Sequence, residues 1–212
     1  ALNPPTKVDK QSLYANMVKI DTYCGSIYLD RPILLRVDDV TRWCWRCPRH
    51  EYVSLVDRDL KHYEQRIPNF YLLARSKGDR SLDPSVWVKD ALAILRWLRK
   101  TPTDDHDYPR MKFYYARSLK ASQLYKVAEE AFLERAKIIN SGWYEERYMC
   151  YYDAASCRIL TKDDDRVNEY LRKAIKIIPT RLEVRYALVR RLCEITHYND
   201  AWGVADSWMD NK

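Results

Sequence analysis

From about residue 109 onward the chain repeats itself, and a repeating helical pattern leaves few folds open. Ala128, Val167 and Ala201 align as the small or apolar residue early in the second helix of each unit. Tyr115-Ala116, Ala154-Ala155 and Leu188-Val189 fall twelve and thirteen residues earlier, in each first helix. Tyr125 and Tyr198 stand three residues before the aligned position, and Phe132, Leu171 and Ala205 stand four after it. Pro179 closes the second unit. The first and second units are offset by 39 residues, the second and third by 34. Small residues let two helices approach closely, and aromatics fill the space beside them. No such pair can bury its apolar face alone, so the pairs are expected to stack.

The part before the repeats has a different character. Residues 1 to 10, with Pro4-Pro5, read as an extended lead-in. Short apolar or alternating runs follow at residues 17–20, 32–37, 42–47 and 69–73, separated by turn signals at Cys24-Gly25-Ser26 and Asp38-Asp39. They suggest a thin antiparallel sheet. The change to helix comes at Lys77-Gly78-Asp79, and Asp83-Pro84 reads as a helix start with Asp as N-cap and Pro at the first position. Trp87, Ala91, Leu95 and Leu98 then recur at helical spacing. The expected class is therefore α+β, mostly α, with a strand-rich segment over residues 1–76 and a helical array over residues 77–212.

Composition narrows the functional classes. Apolar content of 47% with only four glycines indicates a packed protein and leaves no phosphate-binding glycine loop. Net charge is +7, but basic residues are interleaved with acids, so the charge selects no single anionic partner. The most basic stretch, residues 173–191, reads as a solvated helical face, and nucleic acid is the weakest of the partner readings. Six cysteines in 212 residues do not form a disulfide framework. Cys150 and Cys157 would share one helix face as small core residues. No signal peptide or membrane-spanning run is visible, which makes a reducing, cytoplasmic setting the expectation. The chain begins at Ala1 without an initiator Met, so it reads as a fragment or a trimmed form.

Three motifs invite chemistry. Asp163-Asp164-Asp165 imitates an Asp-x-Asp metal motif, but it precedes a helical run and reads as a capping cluster. Asp104-Asp105-His106-Asp107 has no ordered spacing and reads as a solvated loop. Cys44-x-x-Cys47-x-x-His50 lacks the fourth ligand and second close pair of a structural zinc. What remains is residues 43–52, where two tryptophans, an arginine and the pair His50-Glu51 lie within ten residues. Histidine beside a carboxylate is a metal ligand or a proton-transfer pair near neutral pH. The duller reading is a strand-end histidine held by one hydrogen bond.

The helical units, at 34-residue spacing with small residues at these offsets, resemble the tetratricopeptide repeat, although Arg135 stands where that repeat would carry alanine. A wider resemblance rests on four segments in order. Arg31-Pro32-Ile33-Leu34-Leu35-Arg36 resembles a strand reading Arg-Leu-Phe-Arg near its end. Residues 43–52 resemble Trp-x-Tyr-x-Gly-Pro-x-His-Glu-Tyr, with Trp45 for Tyr and Cys47 for Gly. Residues 78–84 with Lys89-Asp90 resemble the entry into the helices, with Ala74 in place of an upstream histidine. Residues 113–118, 142–146 and 179–183 resemble repeat signatures. Together, over about residues 30 to 205, they resemble the C-terminal part of family 2-like bacterial and viral glycosyltransferases. In these enzymes a GT-A catalytic domain precedes tetratricopeptide-like helices.

The resemblance implies transfer of a sugar from a nucleotide-sugar donor to an acceptor hydroxyl, with a divalent metal (Mn or Mg) bridging the donor diphosphate. It makes His50 a metal ligand or diphosphate contact. Glu51, the candidate catalytic carboxylate, would be its neighbour or orienter, and Arg36, Trp45 and Arg46 substrate contacts. The nucleotide-binding strands and Asp-x-Asp motif of such an enzyme are not in this chain, so an inactive fragment or degenerate member is expected. The rival reading is a non-catalytic module that binds a protein partner through its repeat helices.

Overall fold

The structure, a computed structural model, describes residues 17–24, 27–35, 43–45, 53–55, 64–73, 83, 85–140 and 143–209. The described strands belong to one compact unit and the described helices to another. The architecture is mostly helical with a small strand-rich part.

In the first unit, strands β1 (Met17–Cys24), β2 (Ile27–Leu35) and β5 (Glu64–Leu73) form one sheet in the order β2-β1-β5, and β3 (Trp43–Trp45) pairs antiparallel with β4 (Val53–Leu55). The sheet is mixed, not purely antiparallel as the sequence suggested. β1 runs antiparallel to β2 but parallel to β5. Proline explains the irregular register. The β1–β2 ladder shifts between Val18 and Lys19, where Lys19 faces Pro32, and the β1–β5 ladder shifts between Lys19 and Asp21, opposite the stretch holding Pro68. Proline donates no ladder hydrogen bond, so it is carried by the two outer strands of this sheet. Val18 and Ile20 project to one face by the period-2 rule and form a small core with Ile67.

The second unit holds α1 (Val86–Leu98), α2 (Tyr108–Ala121), α3 (Tyr125–Ala136), α4 (Tyr144–Leu160), α5 (Val167–Ile177), α6 (Leu182–Glu194) and α7 (Tyr198–Met209). Each packs on the next in sequence, and α2 also touches α4. The start of α1 differs from expectation. Ser85, not Asp83, occupies the cap position, and the buried face is Val86, Asp90, Ala91, Ile94 and Leu98, with Trp87 turned outward. Ala91 and Leu98 are buried as the spacing predicts, while tertiary packing puts Val86 and Ile94 on the inner face in place of Trp87 and Leu95.

The three expected helix pairs are α2–α3, α4–α5 and α6–α7. They share a closing motif that is visible only in the backbone. Gln123, Lys162 and Thr196 all adopt left-handed φ, at 62°, 57° and 62°. Behind each, the same two hydrogen bonds close the turn. Leu124 N donates to Leu119 O at 3.0 Å, Asp163 N to Arg158 O at 3.0 Å and His197 N to Leu192 O at 2.8 Å. Gln123 N, Lys162 N and Thr196 N donate to Lys120 O, Ile159 O and Cys193 O. This is the Schellman arrangement. It recurs at the 39- and 34-residue offsets read from the side chains. Glycine would fit each site without strain, and the chain uses none there.

The aligned residues Ala128, Val167 and Ala201 are buried, as are Ala116, Ala154, Ala155 and Leu188 in the first helices. Phe132 and Leu171 are buried, whereas Ala205 is exposed, because α7 has no later described helix against it. Cys150 and Cys157 do share the buried face of α4. The acidic triplet is not a cap. Asp163 pairs with Arg158 at 2.8 Å and Asp164 with Arg191 at 2.8 Å, while Arg166 holds the cap position of α5. Nor is the basic stretch wholly solvated. Lys173, Lys176 and Arg190 are exposed, but Arg185 is buried and donates to Pro179 O, Val204 O and Ser207 Oγ, tying α6 to α7.

Two stability outcomes are expected. Ala128→Leu overpacks the α2–α3 pair and lowers unfolding free energy by about 1–3 kcal/mol. Unchanged denaturant midpoints would refute this close approach. Thr196→Gly relieves a β-branched residue in left-handed backbone and raises stability by about 1–2 kcal/mol. A lower melting midpoint in that variant would show that the turn is not the one described.

Candidate functional site: a groove between α2 and α4

A groove of about 590 Å³ has walls made mainly by α2 and α4. These are the first helices of adjacent pairs, and they run side by side because α3 returns the chain between them. Phe113 and Met149 lie along the groove, and Trp143, at the cap position of α4, stands at its rim.

Two ion pairs cross from α2 to α4. Lys120 Nζ donates to Asp153 Oδ1 at 2.6 Å, and Arg110 lies 3.5 Å from Glu146. Glu146 also accepts from Arg135 Nη2 at 3.0 Å. Arg135 is fully buried, and its Nη1 donates to Ile138 O. The presence of an arginine at buried position 135 thus has a structural explanation. A long side chain fills the space behind α4, and its charge is met by a carboxylate at the start of that helix. Arg110 completes a second set of contacts. Its guanidinium lies 5.5 Å from the Tyr114 ring centroid and 5.2 Å from that of Trp143. Arg117, exposed, lies over Phe113 at 5.7 Å.

Neighbouring groups favour a held scaffold over a nucleophile. Glu129 accepts from Arg158 Nε at 2.7 Å and from Tyr170 O–H at 3.0 Å, joining three helices. The hydrogen bond to Glu129 is the main cause that holds Arg158 protonated beyond its usual range. Burial pushes the Cys157 thiol up to about 11 and the Cys150 thiol higher still, so neither is a thiolate near neutral pH. Burial, with the nearby Glu183, raises the Tyr148 phenol to about 12.

The described residues that line the groove include none of the site residues singled out from the sequence. Trp45 ends β3 and faces Val53 in the ladder. Arg36, Arg46, His50 and Glu51 lie outside the described residues. His50 and Glu51 fall in sequence between β3 and β4. Among the described residues no cluster of three or more His, Cys, Asp or Glu side chains could hold a metal ion. Among the described residues no helix is long and apolar enough to cross a membrane.

The groove was not found from the sequence, but a signal was present. Phe113, Tyr152 and Tyr186 recur at the same 39 and 34 offsets as the small residues. Phe113 lines the α2–α4 groove, and Tyr152 and Tyr186 line a smaller cavity between α4 and α6. No family model, curated protein or solved structure significantly matches the chain.

The buried ion pair makes a sharp energetic prediction. Glu146→Ala strands the Arg135 charge in the core and costs about 3–5 kcal/mol, whereas Arg135→Met costs far less, because Glu146 keeps Arg110 and the cavity is filled. Chemical denaturation of the two variants distinguishes them, and equal losses would show that Arg135 contributes only packing.

Proposed function

We propose that this chain is the C-terminal part of a GT-A, family 2-like glycosyltransferase whose tetratricopeptide-like helices serve as scaffold and as an acceptor- or partner-binding surface. The observation that carries this reading is the agreement between the ordered sequence segments and the recurring architecture. The segment at residues 31–36 overlaps β2, and the tryptophan-rich segment begins with β3. Residues 113–118 form the middle of α2, residues 142–146 run into the start of α4, and residues 179–183 run into the start of α6. Two of these segments, 142–146 and 179–183, therefore stand at the starts of the first helices of successive pairs, while 113–118 lies within a first helix.

In this reading the bond from the sugar's anomeric carbon to the donor diphosphate breaks, and a bond to the acceptor oxygen forms. The hydroxyl proton passes to a carboxylate. His50 is the metal-side or diphosphate-side residue, Glu51 orients it, and Arg36, Trp45 and Arg46 contact substrate. A divalent metal would neutralise the leaving diphosphate. A cytoplasmic location belongs to the same proposal.

A second reading, a non-catalytic interaction module, is favoured by one observation. The α2–α4 groove is built by the helical unit alone. Sugar transfer separates the two readings. In the full natural protein carrying this chain, His50→Ala is expected to lower kcat/KM for nucleotide-sugar transfer by about 10–100-fold. An unchanged rate removes His50 from the site, and absence of any transfer by the wild-type protein favours the module.

A further inference from the structure

We infer that the α2–α4 groove binds an uncharged saccharide chain, with a sugar ring stacked on Trp143. This deepens the glycosyltransferase reading by assigning the groove to the glycan acceptor, although the binding site stands on its own geometry. Three observations lead to it.

First, Trp143 keeps 63% of its surface in solvent, yet its ring is held by the Arg110 guanidinium 5.2 Å away, which also contacts Tyr114. A large apolar plane fixed before binding is suited to the C–H face of a pyranose, because little side-chain entropy is lost on contact.

Second, the charges lining the groove nearly balance. Four cations, Arg110, Arg117, Lys120 and Arg181, face three carboxylates, Glu145, Glu146 and Asp153. Asp153 is matched by Lys120 at 2.6 Å, Glu146 by Arg110 and Arg135, and Arg181 by Glu183. Arg117 and Glu145, one of each sign, have no opposite charge beside them among the described residues, whereas a site for a polyanion, whether acidic peptide or nucleic acid, needs a surplus of uncompensated cations. Here the ion pairs serve differently. A carboxylate has about four acceptor positions and an ammonium three donors, so a paired Asp153 and Lys120 still offer hydrogen bonds in fixed directions. Sugar hydroxyls, which both donate and accept, are satisfied by such mixed pairs.

Third, the volume of about 590 Å³ is that of a small-ligand site, large enough for a short oligosaccharide, and Trp143 in its lining is exposed.

Isothermal titration calorimetry on the full chain tests this, with maltotriose, cellotriose and chitotriose as neutral probes and polyglutamate as the charged alternative. At least one trisaccharide is expected to bind with an affinity unchanged between about 0.05 and 0.5 M salt, since no net charge is neutralised. Trp143→Ala should weaken that binding about 5–10-fold, and Trp143→Phe should restore most of it, as aromatic stacking requires. Because Trp143 is exposed, both variants should melt like the wild type. Binding of none of the three sugars, equal binding by Trp143→Ala, or salt-sensitive binding of polyglutamate in their place would overturn the inference. The outcomes also separate the two proposals. Sugar binding without any transfer by the parent protein sustains the groove and defeats the glycosyltransferase reading. Normal transfer with Trp143→Ala and no trisaccharide binding does the reverse.

Discussion

Close approach of paired helices is the constraint on which the helical unit depends. Ala116, Ala128, Ala154 and Ala155 have no exposed surface, so the backbones of α2, α3 and α4 come together through side chains of one carbon. A helix of 11 to 17 residues has too little apolar face to be stable alone, and each of these gains its stability from its neighbours. Once the small residues set the spacing, Phe132, Tyr148 and Leu171 have defined spaces to fill. The same spacing leaves a gap behind α4 that the stem of Arg135 occupies, with its charge matched to Glu146. A buried ion pair is a poor source of net stability. Its value here is positional: it fixes the start of α4 against the end of α3, and through Arg110 it fixes Trp143 at the rim of the groove.

Turn geometry completes the repeat. Three left-handed residues, none of them glycine, close three helix pairs with the same two hydrogen bonds. The strain at each is offset by satisfying carbonyls at the end of the first helix that would otherwise have no partner. The recurrence at 39 and 34 residues is independent of side-chain identity, and it agrees with the offsets of the small residues. The additional five residues of the longer interval lie between Gln123 and Lys162, which enclose the α3–α4 connection and the 17-residue α4. The acidic triplet follows Lys162, and its pairs with Arg158 and Arg191 tie the α4–α5 turn to α4 and α6.

The chemistry read from the sequence and the chemistry visible in the helices are separate. The tryptophan-rich segment with His50 and Glu51 drew attention through residue type alone, and its described part is a three-residue strand paired with Val53–Leu55. The groove has no local signature in the sequence, because its members are scattered over residues 110 to 181 and form no compact motif. Only the recurrence of Phe113, Tyr152 and Tyr186 at repeat spacing could have pointed there.

The order of classes, strands before helices, and the pairing of the last six helices follow from local chemistry: period, small residues at fixed offsets, and turn signals between runs. These act over a few residues, so they are legible in the chain itself. Sheet direction, the inner face of α1, the role of the aspartates at 163–165 and the burial of Arg135 and Arg185 are not local. Each depends on which distant group arrives beside it: β5 beside β1, Arg191 beside Asp164, Glu146 beside Arg135, Val204 and Ser207 beside Arg185. Long-range pairing decided these features, because the free energy of a charged or polar side chain is set by its partner and its burial more than by its neighbours in sequence.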